Sequence, residues 1–178
     1  MAHEQPIIKD KLMQGIAITT TVLAVVAAIA SSRSAFFIAK AQLLTAQEGS
    51  EWSYFQAKSI KQNLAELQKK VFAINMMGNV TEDQKIVYAN ELQQAVIDIA
   101  RYDKEKAEIK AKAEGTNKEN TLVVRRGSQF SLAVVFAQIG IMLSSVGALL
   151  KRKDMWVVGL IIGAISLVFL ANGFLLFI

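Results

Sequence analysis

Residues 130–154, FSLAVVFAQIGIMLSSVGALLKRKD, hold an uncharged apolar run from Phe130 to Leu150 that stops abruptly at Lys151-Arg152-Lys153-Asp154. A helix needs ~20 mostly apolar residues to cross a hydrocarbon layer of ~30 Å. The run has that length, and a second uncharged run, Met155 to Ile178, follows the four charged residues at once. So short a connection turns the chain back on itself, which predicts an antiparallel pair of transmembrane helices, spans two and three. A third uncharged run, Met13 to Ala30 (MQGIAITTTVLAVVAAIA), predicts span one. Its basic start and Ala28-Ile29-Ala30 also resemble a signal peptide with a small-x-small cleavage site; retention as an anchor is the expectation.

Composition agrees with this reading. The 178 residues are 53% hydrophobic, with a mean hydropathy of +0.34, high for a soluble chain. Cysteine is absent, which excludes disulfides and thiol chemistry. The net charge of +5 is spread thinly and suits anionic lipid headgroups better than nucleic acid. Lys9 and Lys11 share one side of a three-span layout with Lys151, Arg152 and Lys153, and the positive-inside bias assigns that side to the cytoplasm. Residues 31–129 then lie on the opposite side, although Arg33, Arg125 and Arg126 at their borders pull the other way.

Between spans one and two the periodicity is helical. Steps of three and four from Phe36 reach Ala39, Leu43, Ala46, Ser50, Ser53, Ala57, Ile60, Leu64, Leu67, Val71 and Ile74, all apolar or small. That is the seam spacing of a coiled coil. Met77-Gly78-Asn79 predicts a stop, with Gly78 free to take the left-handed conformation after a helix. Thr81-Glu82-Asp83-Gln84 predicts a restart through a capping box. A second helix from Glu82 to Glu114 then folds back antiparallel, Gly115 to Asn120 reads as a turn or loop, and Thr121 to Gln129 leads into span two.

The expectation is an all-α membrane protein with three transmembrane helices and a long extramembrane antiparallel helical, coiled-coil hairpin between spans one and two. Its parts are an N-terminal tail 1–12, span one 13–30, a hairpin domain 31–129 with its tip near 76–81, span two 130–150, a basic turn 151–154 and span three 155–178. A tip at Gly78 pairs Ile60 with Val96, Leu64 with Leu92 and Ala57 with Ile99, with Leu67 continuing the dry seam. The same register places Ser53 by Asp103 and Ser50 by Lys106, so the other half of the seam is polar. Its large groups, among them Trp52, Phe55, Tyr102 and Ile109, point elsewhere, which predicts a further packing partner and homo-oligomerisation.

Glu51 to Lys61, EWSYFQAKSIK, concentrates aromatics and lysines. Trp52 and Phe55 share a helix face. The register brings Phe55 to Arg101, Tyr54 to Tyr102 and Lys58 to Asp98, an aromatic and cationic collar or a subunit interface that also includes Lys61. This segment, with Tyr102-Asp103-Lys104-Glu105-Lys106, Gln138-Ile139-Gly140-Ile141 and Leu143-Ser144-Ser145, resembles a bacterial family of small integral membrane proteins known only as a domain of unknown function. The resemblance implies the same three-span layout and brings no activity; with the positive-inside bias, the expected place is a bacterial inner membrane, with a cytoplasmic N-terminus and a periplasmic hairpin.

No catalytic, metal or cofactor site is expected. The one histidine, His3, stands near the N-terminus, away from any nucleophile pattern. No glycine motif cradles phosphate. Glu48 and Glu51 share a face, but acids at that spacing are common on helices. Within the spans, Gln138, Asn172 and Thr19 to Thr21 read as interhelical glue, and Gly140, Ser144, Gly147, Gly159 and Gly163 as small packing residues. The absence of an acid or base in any span argues against an ion-coupled pump. The leading expectation is a non-enzymatic, self-associating membrane scaffold or accessory subunit, with the bilayer, further copies and an unidentified membrane protein as partners. A receptor-like sensor acting through a partner comes second, and an oligomeric channel or transporter component third.

Overall fold

The computed structural model describes residues 7–176; His3 and the outer ends of the tail and of the third run lie outside them. Among the described residues the fold is entirely helical, with three helices: α1 Ile7–Asn75, α2 Glu82–Leu150 and α3 Lys153–Leu175. Each contains a stretch long and apolar enough to cross a membrane, with mean hydropathy 2.0, 2.1 and 2.3 respectively. The chain divides into two compact units: one comprises the residues up to Gln42 together with Thr121 onward, and the other is Leu43–Asn120.

Local signals explain where the helices end. Thr81 and Gln84 form the capping box: Gln84 Oε1 accepts from the Thr81 N–H at 3.0 Å, and Thr81 Oγ1 accepts from the Gln84 N–H at 3.4 Å. At the end of α1, Gly78 donates to the Asn75 carbonyl at 3.2 Å, and no described glycine has a positive φ. Gly78 therefore does not adopt the left-handed turn its type allows. That conformation appears instead at Lys151, φ 51°, whose N–H reaches Ala148 O at 3.3 Å while Arg152 N–H reaches Gly147 O at 3.0 Å. These two bonds are a Schellman ending for α2, built on a lysine.

Gly115 to Asn120, expected as a loop, lie inside α2. Turn-forming side chains favour loops because they compete for nearby backbone groups. Here they are engaged across the helix pair: Thr116, Asn117 and Asn120 donate to Glu51, Glu48 and Thr45 respectively. Tertiary hydrogen bonds outweigh a weak local preference.

In the first unit, α2 and α3 approach through small residues. A Cβ on Gly159 would stand 2.6 Å from Ser144 Oγ and 2.9 Å from Gly140 O, and one on Gly147 would stand 3.0 Å from Trp156 N. Leu23 of α1 seals the joint, its Cδ2 2.8 Å from a Cβ on Gly163 and its Cδ1 3.1 Å from one on Gly140. Contact this close is how helices lacking a large hydrophobic gain from each other can still associate. Farther along, the fully buried Phe130 stacks on Phe37 at 5.6 Å and meets Phe174 edge-on at 5.0 Å. Asn172, 1% exposed, donates to Gln129 Oε1 at 2.9 Å, and Ser34 and Ser131 share a hydrogen bond of 2.7 Å.

Candidate functional site

The second unit carries the concentration of charged and aromatic side chains. Its α1 face toward α2 repeats every seven residues through Glu51, Lys58, Ala65 and Phe72, each buried or half-buried. The α2 face does the same through Tyr88, Ala95, Tyr102, Ile109 and Thr116. Contacts run antiparallel: Phe72 lies against Tyr88, Gln62 against Asp103 and Glu51 against Thr116. Alanines at Ala65, Ala95 and Ala113 let the backbones come close.

Between those alanines the interior is polar. Glu51, 7% exposed, accepts from Thr116 Oγ1 at 3.1 Å and Gln47 Nε2 at 3.1 Å, and pairs with Lys112 Nζ at 3.3 Å. Burial pushes its carboxyl up, but these hydrogen bonds and the lysine charge outweigh that and hold it below the ordinary glutamate range. Gln62 donates to Asp103 Oδ1 at 3.1 Å and accepts from Lys106 Nζ at 2.9 Å, so its amide is used in both directions.

Lys58 is the centre of the aromatic group. Its Nζ lies 2.6 Å from Glu105 Oε2, 5.2 Å from the centre of the Tyr54 ring and 5.6 Å from that of Tyr102. The Glu105 contact raises the lysine above its ordinary value, and the Lys58 contact lowers the glutamate below its own. Arg101 lies over Tyr102 at 5.0 Å and pairs with Asp98 at 2.9 Å; Lys106 lies over Phe55 at 5.3 Å, and Trp52 meets Phe55 edge-on at 5.6 Å. A cation over an aromatic face is worth ~0.5–1 kcal/mol where water is near. Hydrogen bonding, ion pairing and close packing are what this arrangement can do; among the described residues no cluster of acids and histidines is arranged to hold a metal.

The expected site residues fall into two groups. Trp52, Tyr54, Phe55, Lys58, Arg101 and Tyr102 do come together, but in a different register. Phe55 meets Lys106 rather than Arg101, and Lys58 pairs with Glu105, two turns beyond the expected Asp98, which instead bonds its own helix neighbours Gln94 and Arg101. Lys61 is exposed.

The expected seam is a correction. Ala57, Ile60, Leu64, Leu67 and Val96 are all exposed; of the expected seam residues only Leu92 and Ile99 belong to the α2 face turned toward α1. The cause is chemical. The apolar register would have set Ser50 and Ser53 against Lys106 and Asp103, leaving buried charges without partners. Turning α1 brings Glu51, Lys58 and Gln62 inward, where Lys112, Thr116, Glu105, Asp103 and Lys106 answer them.

Glu51, Gln62, Glu105, Lys106 and Thr116 are the members that apolar periodicity missed. The strict seven-residue recurrence on α2 from Tyr88 to Thr116 was the available signal. In the first unit Gly140, Ser144, Gly147, Gly159 and Gly163 are buried along one joint and Asn172 is buried beside Gln129, whereas Gln138 is exposed. The hydroxyls of Thr19, Thr20 and Thr21 bond back to their own helix, with Thr19 also accepting from Trp156 Nε1 at 3.2 Å.

A family model described as "Domain of unknown function (DUF4337)" matches residues 12–176. The chain belongs to this family. The match includes the whole second unit, Leu43–Asn120, and all but the first residue of the three candidate spans. No curated protein and no solved structure matches the chain.

Proposed function

We propose that the protein is a non-enzymatic, self-associating integral membrane scaffold or accessory subunit. Its three apolar stretches cross a bacterial inner membrane, and the helix pair of the second unit stands outside the bilayer as a hairpin between spans one and two. One observation carries the reading: in the second unit Glu51, Gln62 and Thr116 are buried and hydrogen-bonded while Ile60, Leu64, Leu67, Ile74, Ile86 and Ile97 are exposed. A helix pair with charges inside and aliphatics outside has surface left to bury, and contiguous apolar surface outside a bilayer marks an interaction site. Lys9, Lys11, Lys151, Arg152 and Lys153 support a cytoplasmic N-terminus and a periplasmic hairpin.

The test is the mass of the purified protein in lipid nanodiscs or mild detergent. A fixed multiple of the chain mass is expected; a monomer at every concentration would remove the reading. A phosphatase fused near Gly78 should be active, and an inactive phosphatase with fluorescence of a fluorescent-protein fusion at the same site would reverse the orientation.

A further inference from the structure

We infer that the exposed stripe of α1 is a parallel, in-register coiled-coil surface for α1 of a second copy of this chain; the inference rests on the self-association just proposed and assigns its surface and geometry. The stripe is the three-and-four series from Leu43 to Ile74, and every position in it is exposed. Its distal half is bulky, with Ile60 69%, Leu64 54%, Leu67 58%, Val71 45% and Ile74 66% exposed. Its other half, from Ala46 to Ala57, is small. A stripe repeating every 3.5 residues is self-complementary, because two helices bearing it can interlock along their whole length by supercoiling. The α2 partner is already seated on the opposite face through the polar seam, so the stripe is a second seam on one helix.

Area and charge both favour a second copy. The five bulky residues expose on the order of 500 Å², and the small and flanking residues bring the patch toward the ~800 Å² per partner of a stable interface. Flanking residues suit a parallel pair. In a parallel pair, the position before one heptad core approaches the position after the next on the partner helix, which sets Gln56 by Lys61, Asn63 by Gln68 and Lys70 by Asn75. Each of these pairs contains a neutral amide, all six side chains are exposed, and no like charges meet. Copies inserted the same way in one bilayer also run their α1 helices in one direction, as a two-fold axis along the membrane normal requires.

The absence of cysteine makes the test clean. Single Ser50→Cys, Ser53→Cys, Ala57→Cys and Ile60→Cys variants in native membranes are oxidised, with Glu108→Cys on the exposed face of α2 as the control. The stripe variants should form same-residue disulfide dimers at least tenfold more than Glu108→Cys. Leu64→Lys, exposed in the single chain and harmless to its fold, should give a monomer mass with helicity unchanged. If the wild-type mass is multiple but Glu108→Cys cross-links as well as the stripe, or Leu64→Lys keeps the multiple mass, this surface is wrong and self-association stands. If the wild type is monomeric and no stripe position cross-links, both fall.

Discussion

Gly159→Ala is the sharpest probe of the first unit's packing. Its Cβ would lie 2.6 Å from Ser144 Oγ, 2.9 Å from Gly140 O and 3.1 Å from Ser144 N. Two of those neighbours are backbone atoms of α2, so relief requires the helices to separate rather than one side chain to turn. Overpacking of this kind costs ~1–3 kcal/mol. The Ser144 hydroxyl is fully buried without a hydrogen-bond partner, so Ser144→Gly removes the closest atom and also a desolvated polar group. The double variant should recover part of the loss, leaving the share owed to Gly140 O, with a coupling of ~0.5–2 kcal/mol between the two sites. Reversible unfolding in mixed micelles, followed by tryptophan fluorescence, measures all four corners, since the Trp156 backbone packs at Gly147 and its ring against Gly15 and Thr19 in the same unit. Full additivity, or a Gly159→Ala protein as stable as the wild type, would refute the close α2–α3 contact.

Three further outcomes follow from single features. Lys151→Gly should stabilise the α2–α3 joint by ~1 kcal/mol in the same assay, because a left-handed φ of 51° costs a lysine and not a glycine; a loss of stability would refute the Schellman assignment. Gly115→Ala, whose Cβ would meet nothing within 4 Å, should stabilise α2 by ~0.5–1 kcal/mol, and destabilisation would restore the loop. The third concerns pH. Glu51 and Glu105 have lowered values in the folded chain, so their contribution is present above the ordinary ~4.3 and lost as pH falls through the folded values. Lys58 is raised, so its contribution is full below the ordinary ~10.4 and lost as pH rises through its folded value. Thermal melts of helicity should therefore plateau between these limits, and Glu51→Gln should flatten the acid side; stability that increases on acidification below the plateau would contradict the pairing.

Much of the architecture was legible because its signals are local. Uncharged runs, the basic turn, the Thr81–Gln84 capping box and the small residues around Gly140 and Gly159 each depend on neighbours in sequence or on size alone. The Gly115–Asn120 loop misread the chain because the partners of Thr116, Asn117 and Asn120 lie on α1, some 70 residues away. The seam was misplaced for a related reason. Heptad periodicity shows that a face packs against something, and α1 has two such faces: one apolar, one polar. Only the complementary charges of α2, Glu105, Lys106 and Lys112, decide which face turns inward, and they become informative once the register is known.

That choice of face is the central claim, and paired cysteines test it most directly. Glu51 and Thr116 touch across the helix pair, whereas the apolar register would have brought Ala57 to Ile99. In the otherwise cysteine-free chain, Glu51→Cys with Thr116→Cys should close an intrachain disulfide rapidly under mild oxidation, and Ala57→Cys with Ile99→Cys should not. A disulfide that forms in the second pair and not in the first would show the apolar stripe turned inward and overturn the account.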